Sequence, residues 1–208
     1  MTPNGGGPTL LYYLYRSATA LVAPFAFRKV AAKLAAQGVS AERQQERMGH
    51  ATLPRPEGPL IWLHGASVGE SLAALTLINR IGDQLPHANF LVTSGTATAQ
   101  QVVAKRMPAR CRHQFAPLDA SGPVRRFLSH WRPSAGIFIE SELWPVTLAS
   151  TRATGAKLAL VNARLSDRSV ARWRAKAPTA LFVMDQFSLF LTQNQHISHC
   201  LLELGAHP

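Results

Sequence analysis

Trp62-Leu63-His64-Gly65-Ala66-Ser67-Val68-Gly69-Glu70 decides how this chain is read, because an apolar run passes straight into a tight glycine turn and then a helix start bearing a carboxylate. α/β enzymes display reactive groups in this way, on the loop that follows a strand. Two chemistries compete for the stretch. Gly65-Ala66-Ser67-Val68-Gly69 fits the G-x-S-x-G nucleophile elbow. Ser67-Val68-Gly69-Glu70 puts an acid three residues after a helix-capping serine, where a capping-box glutamate would hydrogen-bond back to the Ser67 amide.

Outward from this stretch, β-like runs alternate with helical patterns, as in a parallel sheet with crossover helices. The runs are 59–64, 89–93, 113–117, 135–140, 157–162 and 189–193. Between the first two, Leu72, Leu75, Ile78 and Ile81 recur at helical spacing, and 82–86 ends that helix. Six strands predict an α/β fold with a Rossmann-like, doubly wound parallel sheet.

Ligands of such sheets bind beyond the C-terminal strand ends. The residues there are strongly polar: Ser67, Gly69 and Glu70; Ser94 and Thr96; Asp119; Glu140 and Glu142; Asn162 and Arg164; Thr192 and Gln193. Turn and cap chemistry accounts for many of them. Glu140 and Glu142 would share a face if their strand continued, and paired acids can raise one pKa enough to make a base or proton donor. They could equally cap a following helix, with Trp144 in the core and Pro145 in its first turn. Arg164, Arg168 and Arg172 are spaced by four, and a helix starting near Asp167 would set the latter two on one face.

The hydrolase reading fails on order. A nucleophile elbow belongs well into the sheet, with an acid and then a loop-borne histidine after it. Here it follows the first strand, and the late His196 and His199 fall on a helical pattern.

The 208 residues carry a formal net charge of +11, mostly from arginine, which binds phosphate and carboxylate bidentately. Charge alone does not separate nucleic acid, membrane and phosphorylated substrate as partners. Cys111 and Cys200 are far apart and form no CxxC pair, so neither a disulfide framework nor a zinc site is indicated. Leu10 to Phe27 reads LLYYLYRSATALVAPFAF and is followed by Arg28, Lys29 and Lys33. Basic charge trailing an apolar run is the reverse of a signal peptide and predicts an anchor embedded in or lying on a membrane, with the remainder cytoplasmic.

Three strand-end motifs, HGASVGE, ESELWP and NARLSDRS, in this order and spacing, resemble the N-terminal half of the 3-deoxy-D-manno-octulosonic acid (Kdo) transferases. Arg47-Met48-Gly49 and the apolar N-terminus extend the resemblance over essentially the whole chain. Val146 and Ala99 stand where the family often has asparagine and glycine. The resemblance implies the N-terminal half of a GT-B glycosyltransferase. Residues 1–50 would be a membrane-anchoring segment and connector, 51–208 the acceptor-binding domain, and the C-terminal donor-binding domain would be absent. It further implies inverting, metal-independent transfer of Kdo from CMP-Kdo to a lipid A precursor in lipopolysaccharide biosynthesis, with no cofactor. Glu70 would be the catalytic base, and Ser67, Gly69, Ser94, Thr96, Glu140, Glu142, Asn162 and Arg164 would contact substrate. The expected location is the cytoplasmic face of the inner membrane, with the lipid acceptor and the membrane surface as partners and no nucleic acid. A noncatalytic lipid or partner binding module is the alternative.

Overall fold

The computed structural model describes residues 6–207; residues 1–5, which open the expected anchor segment, and Pro208 lie outside the described residues. Six parallel strands form one sheet: β1 (Leu60–His64), β2 (Asn89–Ser94), β3 (Cys111–Phe115), β4 (Ala135–Ile139), β5 (Lys157–Ala163) and β6 (Leu189–Thr192). Their order is β3-β2-β1-β4-β5-β6, the doubly wound Rossmann arrangement the sequence predicts. All six expected strands are present, and only their ends differ. β3 begins two residues early and β4 stops at Ile139.

Side-chain alternation feeds two cores. Leu60, Trp62 and Phe138 point to one face, where α5 (Ser121–Trp131), α6 (Pro145–Ala153), α8 (Ala177–Met184) and α9 (Gln195–Glu203) contribute Phe127, Leu148, Val183 and Leu201. Leu63, Val92 and Ile139 point to the other, against α3 (Val68–Gln84) and α4 (Ala97–Lys105). Apolar side chains on both faces of the same strands are what a parallel sheet covered on both sides requires. The remaining helices are α1 (Leu10–Ala35), α2 (Ala41–Gln44) and α7 (Asp167–Arg174), the last starting where the sequence places it.

α1 is a single helix through Pro24. Tyr12 packs on Phe182, the Tyr15 hydroxyl donates to Asp119 at 2.9 Å, and Leu34 joins Ala97 and Phe115 in a small core. Its other face is apolar and open: Leu10, Leu14, Leu21 and Phe25 are 59–76% exposed. Among the described residues no helix is long and apolar enough to cross a membrane.

The 3-10 turn Gln45–Met48 ties this N-terminal region to the sheet. Glu46 has no solvent exposure, and its carboxylate accepts from the Arg43 guanidinium, the Thr52 hydroxyl and the Phe115 amide. A buried carboxylate is tolerable only when so fully satisfied. Gly49 ends the turn at φ 84°, and a Cβ there would run into the Pro123 carbonyl, so only glycine fits. Arg43 also donates to His113 Nδ1 at 2.9 Å, which leaves the protonated Nε2 to donate to the buried Ser94 hydroxyl at 2.8 Å.

Burial, helped by the Arg43 charge, pushes the His113 imidazole down to about 3. A histidine held neutral in the fold but titrating at about 6.5 when unfolded binds its proton in the unfolded state first. Its contribution is therefore present above pH 6.5 and lost progressively as pH falls toward 3. In urea unfolding, His113→Gln is expected to gain stability relative to the parent chain as pH falls from 7 to 4. A difference independent of pH would assign the acid sensitivity to other groups.

Candidate active site

Gly65 makes the site possible. A Cβ on it would lie 2.8 Å from the Glu70 carbonyl carbon and 2.9 Å from the Glu70 Cβ, so only glycine lets the first turn of α3 close onto the end of β1. Ser67 is the N-cap of α3, its hydroxyl accepting from the Glu70 amide at 3.3 Å. The buried Glu70 carboxylate reaches one residue further back than a capping box predicts. Its Oε2 accepts from the Ala66 amide at 2.8 Å rather than from Ser67, because the glycine turn brings that amide over the helix start. Oε1 has no hydrogen-bond partner among the described residues.

Beside this turn, a cavity of about 110 Å³ opens at the strand ends. Its walls include Arg47, His64, Ala66, Asp119, Glu142 and Trp144. One wall is a relay. The Trp62 indole donates to Thr93 Oγ1 at 2.8 Å, the Thr93 hydroxyl lies 2.9 Å from His64 Nδ1, and His64 Nε2 lies 3.0 Å from Glu142 Oε2. With the threonine hydrogen on His64 Nδ1, a neutral imidazole donates from Nε2 to Glu142, and every group in the chain is satisfied. The Trp144 indole donates to the same Glu142 oxygen. Burial pushes the Glu142 carboxyl up, but the hydrogen bonds from His64 and Trp144 oppose it, and the group lies below its ordinary value.

Asp119, also in the lining, accepts from the Thr147 amide and hydroxyl at 2.7 and 2.6 Å and from the Val146 amide at 3.3 Å. It caps α6 from a distant loop, where the local N-cap residue, Trp144, supplies no side-chain bond. Burial holds its carboxyl above the usual range despite these donors.

The other predicted residues scatter along the same edge. Gly69 is exposed in the first turn of α3. Ser94 is wholly buried with its hydroxyl committed to His113, and Thr96 caps α4 through the Ala99 amide. Glu140 and Glu142 do not share a strand face, since β4 ends at Ile139 and Glu140 turns the chain at φ 65°. Trp144 is 43% exposed and so does not fill the core, whereas Pro145 does open α6 as expected. Asn162, at φ 56°, lies at the irregular end of β5, and Arg164, Arg168 and Arg172 are exposed. Non-glycine residues held at positive φ concentrate at functional sites, and two here end adjacent strands. His196 and His199 lie on α9 with exposed side chains and Cys200 is buried; among the described residues Ser67 has no histidine partner, which a nucleophile would need. Among the described residues no group of three or more His, Cys, Asp or Glu side chains is arranged to hold a metal.

Sequence reasoning missed His64, Thr93 and Trp144 as site groups, and gave Arg47 no role of its own. His64 was visible in the first motif, but its partners come from β2 and from the β4–α6 loop, and no spacing reports that.

Residues 42–208 match the family model described as 3-Deoxy-D-manno-octulosonic-acid transferase (kdotransferase). The chain is 44% identical to a 3-deoxy-D-manno-octulosonic acid transferase of Rickettsia felis over 70% of its own length and 31% of the relative's. It is 35% identical to a probable mitochondrial 3-deoxy-D-manno-octulosonic acid transferase of Arabidopsis thaliana, over 86% of this chain and 40% of that one. The Haemophilus influenzae transferase is 32% identical over 70% of this chain and 34% of its own length. The chain thus spans about a third of the length of these curated relatives. With a six-stranded Rossmann-like sheet and the matching strand-end motifs, it belongs to the Kdo transferase family.

Proposed function

We propose that this chain forms the acceptor-side half of a GT-B Kdo glycosyltransferase acting in lipopolysaccharide biosynthesis. Its residues 51–208 bind a lipid A precursor, and CMP-Kdo is held by a donor-binding domain corresponding to the remaining length of the relatives. The observation that carries this reading is the Glu70 carboxylate: one oxygen is fixed by the Ala66 amide, the other has no partner among the described residues, and Ala66 itself lines the strand-end cavity. A base needs that combination of fixed orientation and a free lone pair near the acceptor hydroxyl. Glu70 takes the proton as the acceptor hydroxyl attacks the anomeric carbon of Kdo; the bond from that carbon to the phosphate oxygen of CMP breaks, CMP leaves with the electron pair, and the carbon inverts with no metal taking part. His64 and Glu142 form the wall against which the acceptor sugar is oriented, with Trp144 offering an exposed indole. Ser67, Gly69 and Thr96 shape the turns at the rim, Ser94 acts from beneath through His113, and Glu140, Asn162 and Arg164 extend the contact surface along β4 and β5.

Glutamine at position 70 would still accept from the Ala66 amide but no longer accept a proton. In an enzyme completed with the C-terminal part of the Rickettsia felis transferase, Glu70→Gln is expected to lower transfer by roughly two to four orders of magnitude with Tm unchanged. Intact transfer with a lowered Tm would make Glu70 a cap and favour a noncatalytic binding module. Ser67→Ala is expected to cost about 1 kcal/mol of stability while retaining most of the activity.

The open face of α1 supports a membrane-surface location on the cytoplasmic side of the inner membrane. Residues 1–50 then act as anchor and connector, an apolar stripe at Leu10, Leu14, Leu21 and Phe25 lying beside Arg28, Lys29 and Lys33. The pair of substitutions Leu21→Glu and Phe25→Glu is expected to abolish sedimentation with phosphatidylglycerol-containing vesicles without changing Tm, since both side chains are mostly exposed. Unchanged sedimentation would remove α1 from the membrane contact.

A further inference from the structure

Glu46 and Arg47 are neighbours with opposite fates. Glu46 is fully satisfied, held by the Nε and Nη2 edge of Arg43. Arg47 turns the equivalent groups toward no protein partner. Its Nη1 donates to the Ala116 carbonyl, its Nε is enclosed with no hydrogen-bond partner, and its Nη2 makes none among the described residues. Arg47 lines the strand-end cavity together with two carboxylates, yet forms no ion pair with either. Both are already engaged, Asp119 by Thr147, Val146 and Tyr15, and Glu142 by His64 and Trp144. Desolvation draws the guanidinium down to about 10, still charged at neutral pH.

Nε and Nη2 together make the side-on fork with which arginine takes a two-oxygen anion bidentately, as Arg43 does with Glu46. A desolvated cation whose Nε and Nη2 make no hydrogen bond among the described residues, in a cavity whose own acids are spoken for, is unsatisfied until an anion arrives. We propose that Arg47 is the anion-binding residue of the acceptor cavity and takes an oxyanion carried by the acceptor sugar, either a phosphomonoester or a sugar carboxylate. The assignment rests on the acceptor reading of that cavity. It differs from the exposed Arg164, Arg168 and Arg172 in being enclosed, so added salt screens it less.

The test follows the arginine Nε–H and tryptophan indole signals of the ¹⁵N-labelled 208-residue chain by NMR, with Arg47 assigned by triple resonance. Four probes are titrated: N-acetylglucosamine, its 1-phosphate, the methyl glycoside of 3-deoxy-D-manno-octulosonic acid, and inorganic phosphate. The expected result is a saturable shift of the Arg47 Nε–H with the sugar phosphate, the sugar acid, or both, and which of them responds identifies the anion. Arg47→Lys keeps the charge but loses the fork, and should weaken that binding by about tenfold or more with Tm little changed. If that variant does not fold, the titration of the parent chain decides alone. Overturning results are an unmoved Arg47 signal with equal affinity for N-acetylglucosamine and its phosphate, a response to inorganic phosphate alone, or unchanged sugar-anion affinity in a folded Arg47→Lys. In the first of these the Trp62 and Trp144 indoles still respond, so the acceptor reading survives without the subsite. If no sugar moves the indoles either, the acceptor reading fails and takes this assignment with it.

Discussion

The contact between the end of β1 and the first turn of α3 is the constraint on which the rest depends, and it exists because Gly65 lacks a side chain. With the Glu70 backbone pressed against that glycine, the helix begins immediately after the strand. The Ala66 amide is thereby brought over the helix start, within reach of the Glu70 carboxylate. Any larger residue would push α3 outward, and the carboxylate, the cavity rim and the α3 face of the core would move together, since Ala74, Leu75 and Ile78 of the same helix pack on Leu63 and Val92. Close packing permits no local adjustment at such a joint.

Electrostatics around the cavity is divided rather than uniform. Asp119 is pushed toward its protonated form by burial, whereas Glu142 is held toward its anion by His64 and Trp144. His113, on β3, is kept neutral. Environments of this kind separate the titration of nearby acids. Each group reaches its state through a neighbour from another strand or loop, so the polarity of the cavity is a property of the sheet topology and not of any one motif.

That dependence explains what could be read from the sequence. The six strands, the Ser67 cap and the start of α7 at Asp167 are set within a few residues of themselves, by periodicity, capping chemistry and glycine, and they match the structure. The hydrogen bond of Glu70 to Ala66 instead of Ser67 depends on how sharply one turn closes. Expecting Glu140 and Glu142 on one face presumed a strand that in fact ends at Ile139, where Glu140 takes a left-handed conformation. Trp144 looked like core because tryptophan usually is, but its indole is held outward on Glu142. The pairing of Arg43 with His113, and of Tyr15 with Asp119, joins residues 70 and 104 positions apart, which no local pattern encodes.

The Asp119 carboxylate joins three distant parts of the chain at one point: it receives the α1 phenol of Tyr15 while capping the amides of α6. One carboxylate thus couples the start of α6 to α1. If α1 lifts, Asp119 loses one of its donors, and the cap it places on the first turn of α6, at the cavity wall that includes Thr147, is altered with it. α1, the α6 start and the wall between them thus form one cooperative unit of opening, whose exchange with solvent reports the docking of the helix rather than the stability of the sheet.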